Sequence, residues 1–391
     1  MFNHTLDSLN ESFTIAFADR VRRLKAQGVP VIGLQTGDPD FQTPAPIIEA
    51  ANRAMLAGET HYSNSRGLDE LRQAISAHIE RRYAVAYDAE REILVTHGAV
   101  HGYHCALHAL LNRGDEVLIA DPSWQTHANM VRLLGGVPIR ITTRADAQFL
   151  PDIADFEAAI TAKTRAIIIN YPNNPTGVLP ERDFFTRLNQ LAIAHHLFVV
   201  SDEVYDRLVY EGHEHTCFAS LPDAKAHTIV INSFSKSYAM TGWRVGYVLA
   251  PDWLIEQMLK VSQHTITNLA PFIQRGALTA LTDTDVAQTV EHMLTSYARR
   301  RTLVMNLSDN FPDGLRFTAP AGAFYFFIDA RSLGLSSVEL SERILTEAHV
   351  ALVPGSVYGD FGEGYLRMTI AASEDEIAQG MQSLSDWLAR F

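Results

Sequence analysis

Apolar runs that end in polar or turn-forming residues are the sequence feature that most constrains this fold. Residues 165–171 and 197–201 are apolar along most of their length, which is typical of strands in a parallel sheet covered on both faces. Other β-type runs lie at 92–96, 116–120, 228–231 and 245–249. Because ligands of open α/β sheets bind outside the carboxyl ends of the strands, we expect functional side chains directly after these runs.

Composition and charge narrow the class of protein. The 391 residues are 47% hydrophobic and 20% charged, which predicts either more than one ordinary domain or one large α/β domain with an appendage. A net charge of −13 argues against nucleic-acid binding, which needs a basic stripe. Cys105 and Cys217 have no metal-ligand spacing, so we predict no metal site and a reducing compartment. Without a signal-peptide pattern or an apolar run of about 18 residues, we expect a cytoplasmic protein that spans no membrane.

Lys236 is the strongest candidate for a reactive residue. It follows the β-type run at 228–231, close to Ser233 and Ser235, and Arg244 comes eight residues later. A lysine amine can form a Schiff base with an aldehyde, and a serine hydroxyl with an arginine can hold a phosphate. The alternative for Lys236 is a solvated surface lysine, and its flanking residues argue against that interpretation.

Three other strand ends carry candidate residues. Gly98 and Ala99 separate a strand from a helix, where free backbone N–H groups and the helix dipole favour an anion. Asn174 lies in the turn-rich loop 172–177. Asp202 ends the run at 197–201, where a carboxylate can keep a ring nitrogen protonated, although a helix N-cap is the alternative.

The segment 233–246 reads Ser-x-Ser-Lys-x-x-x-Met-x-Gly-x-Arg-x-Gly. It resembles the cofactor-lysine segment of fold-type I aminotransferases of class I/II, the aspartate aminotransferase-like group that depends on pyridoxal phosphate (PLP). The loop that begins at Asn174 resembles the family's Asn-Pro-x-Gly loop. The resemblance extends from about residue 30 to the C-terminus.

The resemblance implies an α/β fold with two parts. A large PLP-binding domain would hold a mostly parallel mixed sheet between helices, and a smaller α+β domain would accompany it. We expect residues 1–45 to form an N-terminal arm and part of the small domain. Residues 46–285 would form the large domain, and residues 286–391 the C-terminal small domain.

The resemblance also implies roles around the cofactor ring. Lys236 would bind the aldehyde and then move a proton as general base and acid. Asp202 would keep the ring nitrogen protonated, and Trp124 would stack on the ring. Tyr205 and Asn174 would contact the ring oxygen.

The implied phosphate site combines several segments. The backbone at Gly98 and Ala99 would bind the phosphate together with the side chains of Ser233 and Arg244. Tyr62 would reach the phosphate of the partner subunit, which predicts a homodimer with shared active sites. The alternative for Tyr62 is surface or edge packing.

The implied substrate site binds an α-carboxylate. Arg367 would clamp it with the planar guanidinium fork, helped by Asn174 and Gly37. The alternative for Arg367 is a surface salt bridge, and the alternative for Gly37 is a turn glycine with positive φ.

These roles predict transamination between an L-amino acid and a 2-oxo acid. Acidic-substrate members of the group often carry a basic residue where this chain has Val100, so we expect that aspartate is not the preferred donor. The alternatives are PLP-dependent β- or γ-elimination and a PLP-binding protein without activity.

The sequence also allows predictions for residues outside the proposed chemistry. His101, His104 and His127 are interpreted as packing or surface residues, with a place in the substrate pocket as the alternative. Ser373 and Glu376 predict a capping box that opens the last helix.

Overall fold

The computed structural model describes residues 6, 7, 9, 11–144 and 147–391. Its helices are α1 (Phe13–Ala26), α2 (Ala45–Leu56), α3 (Asp69–Tyr83), α4 (Gly98–Leu110), α5 (Gln125–Leu133), α6 (Ile153–Ala159), α7 (Arg182–Ala194), α8 (Phe234–Ser237), α9 (Asp252–Thr265), α10 (Pro271–Thr282), α11 (Thr284–Ser308), α12 (Ser337–Arg343) and α13 (Glu374–Leu388). Its strands are β1 (Ile32–Gly33), β2 (Ile93–Thr96), β3 (Glu116–Asp121), β4 (Val137–Thr142), β5 (Thr164–Asn170), β6 (Phe198–Asp202), β7 (Thr228–Ser233), β8 (Gly246–Leu249), β9 (Tyr325–Asp329), β10 (Val350–Ala351), β11 (Val353–Pro354) and β12 (Tyr365–Thr369).

The large sheet has, within the described residues, seven strands in the order β2-β8-β7-β6-β5-β3-β4. β8 is antiparallel to both of its neighbours, and all other pairs are parallel. The fold class predicted from the sequence, a mostly parallel mixed sheet between helices, is confirmed. Asn170 pairs with Asp202, and Asp202 pairs with Ile231. This register brings the carboxyl ends of β5, β6 and β7 to one edge of the sheet.

Helices cover both faces of this sheet because β5 is apolar on both sides. Ile168 packs in a buried cluster with Tyr103 of α4, whereas Ile167 and Ile169 pack in a second cluster with Phe185 of α7. Successive side chains of a strand point to opposite faces, so an uninterrupted apolar run supplies both clusters. Each fully buried aliphatic side chain of this kind contributes about 1.5–3 kcal/mol.

Two smaller sheets lie outside the large one, and the first of them joins an early strand to a late one. β1 pairs in parallel with β10, and β12 lies antiparallel between β11 and β9. Arg367 of β12 is therefore opposite Val353 and Phe327. The domain boundaries at 45/46 and 285/286 stay a prediction.

α1 bridges the two parts of the molecule. Phe17 and Val21 are buried against a cluster that contains Leu345, and Arg20 forms an ion pair with Glu342. At the other end of the helix, Gln125 of α5 donates a hydrogen bond to the hydroxyl of Ser12 (2.9 Å). The start of α1 is thus tied to the large sheet and its body to the smaller ones.

The last helix begins as the sequence predicts. The hydroxyl of Ser373 accepts a hydrogen bond from the backbone N–H of Glu376 (3.2 Å), and the Glu376 carboxylate accepts one from the backbone N–H of Ser373 (3.0 Å). The capping box is confirmed. In the part of the chain that the structure describes, no helix combines the length and the apolar character needed to cross a bilayer.

Candidate active site

A cavity of about 400 Å³ lies at the edge of the large sheet where β5, β6 and β7 end. Asn170, Asp202 and Ser233, the last residues of these strands, all line it. Tyr325 of β9 and Arg367 of β12 line it from the smaller antiparallel sheet. The cavity therefore lies between the two parts of the fold, at the position that strand ends favour for a ligand.

Lys236 extends its amine into this cavity from the short helix α8. The amine donates a hydrogen bond to the backbone carbonyl of Gly37 (2.6 Å). Burial lowers the pKa of Lys236 to about 8, and the nearby carboxylate of Asp38 opposes this effect. A substantial fraction of the amine is therefore neutral near pH 8, as a nucleophile or general base requires.

Asp202 is a buried carboxylate with few partners. It is 2% exposed, and one oxygen accepts a hydrogen bond from the backbone N–H of Val204 (3.2 Å). The other oxygen is 3.3 Å from Nε2 of His127, which is 1% exposed. The phenol of Tyr103 is beside the same carboxylate, and burial, followed by the charge of Asp202, raises the pKa of Tyr103 well above its ordinary value. This environment holds Asp202 at a fixed position facing the cavity.

A concave anion site is built where α4 begins. Gly98 has a φ of +73°, and a Cβ at this position would lie 2.7 Å from Nη2 of Arg244. A Cβ at Gly246 would lie 3.1 Å from the backbone nitrogen of Ala99. The hydroxyl of Ser233 accepts from the backbone N–H of Ser235 (3.0 Å) and lines the cavity. The positive φ favours glycine at position 98, and the close approach of backbone atoms favours it at position 246.

Arg367 places a guanidinium deep in the cavity at 3% exposure. Nη1 donates to Oδ1 of Asn174 (2.9 Å), and Nη2 donates to the backbone carbonyl of Gln35 (2.7 Å). The guanidinium carbon lies 4.3 Å from the centre of the Tyr325 ring. Nε is buried and has no hydrogen-bond acceptor among the described residues. A buried charge with an unused donor is suited to bind a carboxylate.

Tyr205 and Tyr325 form a buried hydroxyl pair. Their oxygens are 3.0 Å apart, and both residues line the cavity. Burial raises the pKa of Tyr205 well above its ordinary value, so its hydroxyl stays protonated and can donate. A Cβ at Gly37 would lie 2.4 Å from the Tyr325 oxygen, so a side chain at this position would displace the Tyr325 hydroxyl.

The structure brings most of the predicted residues to one cavity. Those that line it are Gly37, Ala99, Trp124, Asn174, Asp202, Tyr205, Ser233, Lys236, Arg244 and Arg367. Gly98 lies directly behind them, against the Arg244 guanidinium. Tyr62 is 87% exposed and does not line the cavity of its own chain. The predicted role of each residue stays a prediction at this point.

Some functional candidates were missed by reasoning from the sequence. The sequence predicts that His127 is a packing or surface residue, and at 1% exposure it is packed, but its ring also contacts the Asp202 carboxylate. Its position three residues after Trp124, at the start of a helix, is the available signal. Tyr325 was assigned no role, although it lies in an aromatic run. His101 is buried against Thr265 (3.0 Å), and neither it nor His104 lines the cavity.

The sequence profile of the family described as aminotransferase class I and II matches residues 29–384. The chain belongs to the class I and II aminotransferases. This family depends on PLP.

Relatives of this aminotransferase match over most of its length. Aspartate aminotransferase of Pyrococcus horikoshii is 38% identical, over 90% of each chain. Aromatic-amino-acid aminotransferase 2 of Thermococcus litoralis is 37% identical, over 96% of this chain and 97% of the relative. The solved structure of aspartate aminotransferase from Thermus thermophilus with maleate has a TM-score of 0.94 at 34% identity and covers 99% of both chains.

The residues present fit PLP. The glycine-lined turn at Gly98 and the Arg244 guanidinium form a concave site in which a side chain would clash, and this site suits a phosphate. Across the cavity, the buried Asp202 carboxylate suits a protonated ring nitrogen. Lys236, which also lines the cavity, would provide an amine for the aldehyde.

Proposed function

We propose that this aminotransferase transfers an amino group between an L-amino acid and a 2-oxo acid, and that Lys236 moves the proton. The proposal rests above all on one observation, the amine of Lys236 with a pKa of about 8 in a cavity that also contains Asp202 and Arg367. PLP supplies, when bound, an electron-poor ring that takes up the electron pair of the substrate's Cα–H bond.

Lys236 acts as general base and then as general acid. Its neutral amine would accept the proton of the substrate Cα–H bond, and the resulting ammonium would release the proton again as the acid. The carbonyl of Gly37 and the carboxylate of Asp38 stabilise the ammonium while it carries the proton.

Asp202 and Tyr205 hold protons at fixed atoms. The Asp202 carboxylate would hold the ring nitrogen of PLP and stabilise its protonated form, and His127 keeps the carboxylate in place. Tyr205 and Asn174, which both line the cavity, would hydrogen-bond to the ring oxygen of PLP. Trp124 would hold the ring by aromatic stacking and exclude water from the cavity.

Two arginines bind the two anionic ends of the reactants. Arg244 binds the phosphate together with Ser233 and the backbone at Gly98 and Ala99. Arg367 binds the substrate α-carboxylate through its guanidinium, which the hydrogen bond to Asn174 orients. Because the α-carboxylate is common to all amino acids, this contact orients every donor alike.

We further propose a homodimer in which Tyr62 contacts the phosphate of the partner subunit. An aromatic side chain that is 87% exposed, in a loop outside its own cavity, supports an intermolecular role. The cytoplasmic location stays a prediction from the sequence.

The side chain of the preferred donor is proposed to be apolar or aromatic rather than that of aspartate. Val100 and Trp124 line the cavity, and Val100 offers no charge to a distal carboxylate. Relatives are named for aspartate, aromatic amino acids and prephenate, so both classes of donor are represented among similar proteins. A single methylene changes binding by only about 1–3 kcal/mol, so the choice of donor depends on small features of this wall.

The test is the visible absorbance of the purified protein with PLP, before and after addition of single amino acids. Donors should convert the aldehyde form of the cofactor into its amine form, and a 2-oxo acid should reverse the change. Lys236→Ala should keep the fold, checked by circular dichroism, and lose turnover. Release of ammonia without consumption of 2-oxo acid would support elimination instead, and a Lys236→Ala variant with substantial transamination would refute the proposal.

A further inference from the structure

Arg22 is a positive charge at the cavity that the proposed function does not use. Among the described residues that line the cavity, the lysine and arginine side chains are those of Arg22, Lys236, Arg244 and Arg367. The last three are proposed to serve the aldehyde, the phosphate and the α-carboxylate. Arg22 is therefore left for a group that differs between substrates, because the groups common to all of them are already assigned.

α1 presents Arg22 to the mouth of the cavity. Phe17 and Val21 anchor one face of the helix in the buried cluster described above. The opposite stripe, with Ile15, Ala18 and Arg22 at i, i+3 and i+7, lines the cavity. Since the helix is also tied to α5 through Ser12, the stripe has a fixed position over the opening.

The present partner of Arg22 can be exchanged easily. Its guanidinium forms an ion pair with Asp19, three residues earlier on the same helix, and the two side chains are 75% and 43% exposed. Exposed pairs of this kind contribute little to stability because water and salt screen them. A carboxylate that enters the cavity from solvent can therefore replace Asp19 at low cost.

We propose that Arg22 binds the side-chain carboxylate of a dicarboxylic substrate of the class of glutamate and 2-oxoglutarate. This inference rests on the proposed transamination. It assigns the distal carboxylate to the mouth of the cavity, because the wall at Val100 carries no charge. A substrate as long as glutamate suits this position, since its second carboxylate is far from the one that Arg367 binds. An apolar donor and an acidic acceptor can thus use the same cavity in turn.

The net charge of the chain gives Arg22 a second effect. A protein with a net charge of −13 repels a dianionic substrate, and a positive charge at the opening offsets this repulsion locally. The contribution of Arg22 should therefore decrease as ionic strength rises.

The experiment compares the binding of two unreactive acids to the PLP-loaded enzyme by titration calorimetry. Glutarate carries the second carboxylate, and 3-phenylpropionate does not. We expect Arg22→Gln to weaken glutarate binding about threefold to tenfold, and to leave 3-phenylpropionate binding unchanged. Asp19→Asn should tighten glutarate binding, because it removes the competing carboxylate.

Arg23→Gln is the matched control. It removes the same charge from an exposed neighbouring position of α1 that does not line the cavity. The KM for 2-oxoglutarate should rise in Arg22→Gln by the same factor as the glutarate dissociation constant and stay constant in Arg23→Gln.

If Arg22→Gln and Arg23→Gln weakened glutarate binding equally, Arg22 would act only through the overall charge of the protein, and the assignment would be overturned. Unchanged glutarate binding in Arg22→Gln would also overturn it, while transamination by the same preparation would leave the proposed function intact. Absence of transamination in the unmodified enzyme, with normal glutarate binding, would instead refute the proposed function.

Discussion

Asp38→Asn should shift the pH at which Lys236 becomes reactive. Burial lowers the pKa of Lys236 to about 8, and the Asp38 carboxylate is the main nearby charge that opposes this decrease. Asp38 lines the cavity and accepts a hydrogen bond from the hydroxyl of Thr241 (2.6 Å), so its position relative to Lys236 is fixed. Removal of its charge should lower the pKa of Lys236 further, because burial is then less opposed.

The reactivity of Lys236 at a given pH follows from the fraction of its amine that is neutral. With a pKa of about 8, roughly one tenth of the Lys236 amines are neutral at pH 7, about 300-fold more than for an ordinary lysine. From pH 7 to pH 8 this fraction rises about fivefold, and above pH 9 it is nearly complete. Because only the neutral amine reacts and its pKa is lowered to about 8, the reactivity of Lys236 increases as the pH rises through about 8.

The assay is the initial rate at which the cofactor-free protein captures PLP, followed by absorbance between pH 6.5 and 9.5. The unmodified protein should show a midpoint near pH 8, and Asp38→Asn should show a lower one. Asp38→Glu keeps the charge and should restore the original midpoint, while Lys236→Ala gives the background without covalent capture. A midpoint near that of ordinary lysine, or an upward shift in Asp38→Asn, would refute the reasoning.

Three further predictions concern other parts of the structure. Arg367→Ala removes a buried charge-assisted contact, so the KM for every donor should rise about a hundredfold or more, whatever its side chain. An increase for only one class of donor in steady-state kinetics would place the carboxylate site elsewhere. His127→Leu removes the partner of Asp202, and kcat should fall about tenfold with a smaller change in KM, whereas His127→Gln should recover part of the loss because it can still donate. An unchanged kcat in His127→Leu would show that Asp202 does not need this contact. Ser373→Ala removes the N-cap of α13 and should lower the free energy of unfolding by about 1 kcal/mol, measured in urea, with KM unchanged.

The residues whose positions could be predicted from the sequence are those that directly follow a predicted strand. Asp202 directly follows an apolar run, and parallel strands align their carboxyl ends, so its place at the edge of the sheet needs only secondary structure. The same argument places Lys236 and Asn174. Arg367 lies on β12, but the burial of this arginine depends on the neighbouring strands, which no local pattern specifies.

Contacts that depend on how separate elements pack could not be predicted. His127 reaches Asp202 only because α5 packs on the sheet at a particular angle, and 75 residues separate the two. Arg22 reaches the cavity because α1 is anchored by Phe17 and Val21, which no local pattern relates to the active site. β4 was not predicted either, because it is an edge strand that contains Pro138 and Arg140 and has no continuous apolar run.

The pairing of β1 with β10 has a consequence for synthesis on the ribosome. Ile32 emerges early, but its partner Val350 is made more than three hundred residues later. The seven-stranded sheet, whose strands lie between Ile93 and Leu249, can assemble while this early strand still has an unpaired edge. The contact of Arg367 with the carbonyl of Gln35 joins segments 332 residues apart, so the proposed carboxylate site is among the last parts to form. A nascent chain that stalls before β12 would therefore already contain Lys236 and the proposed phosphate site but would lack the arginine proposed to bind the amino acid.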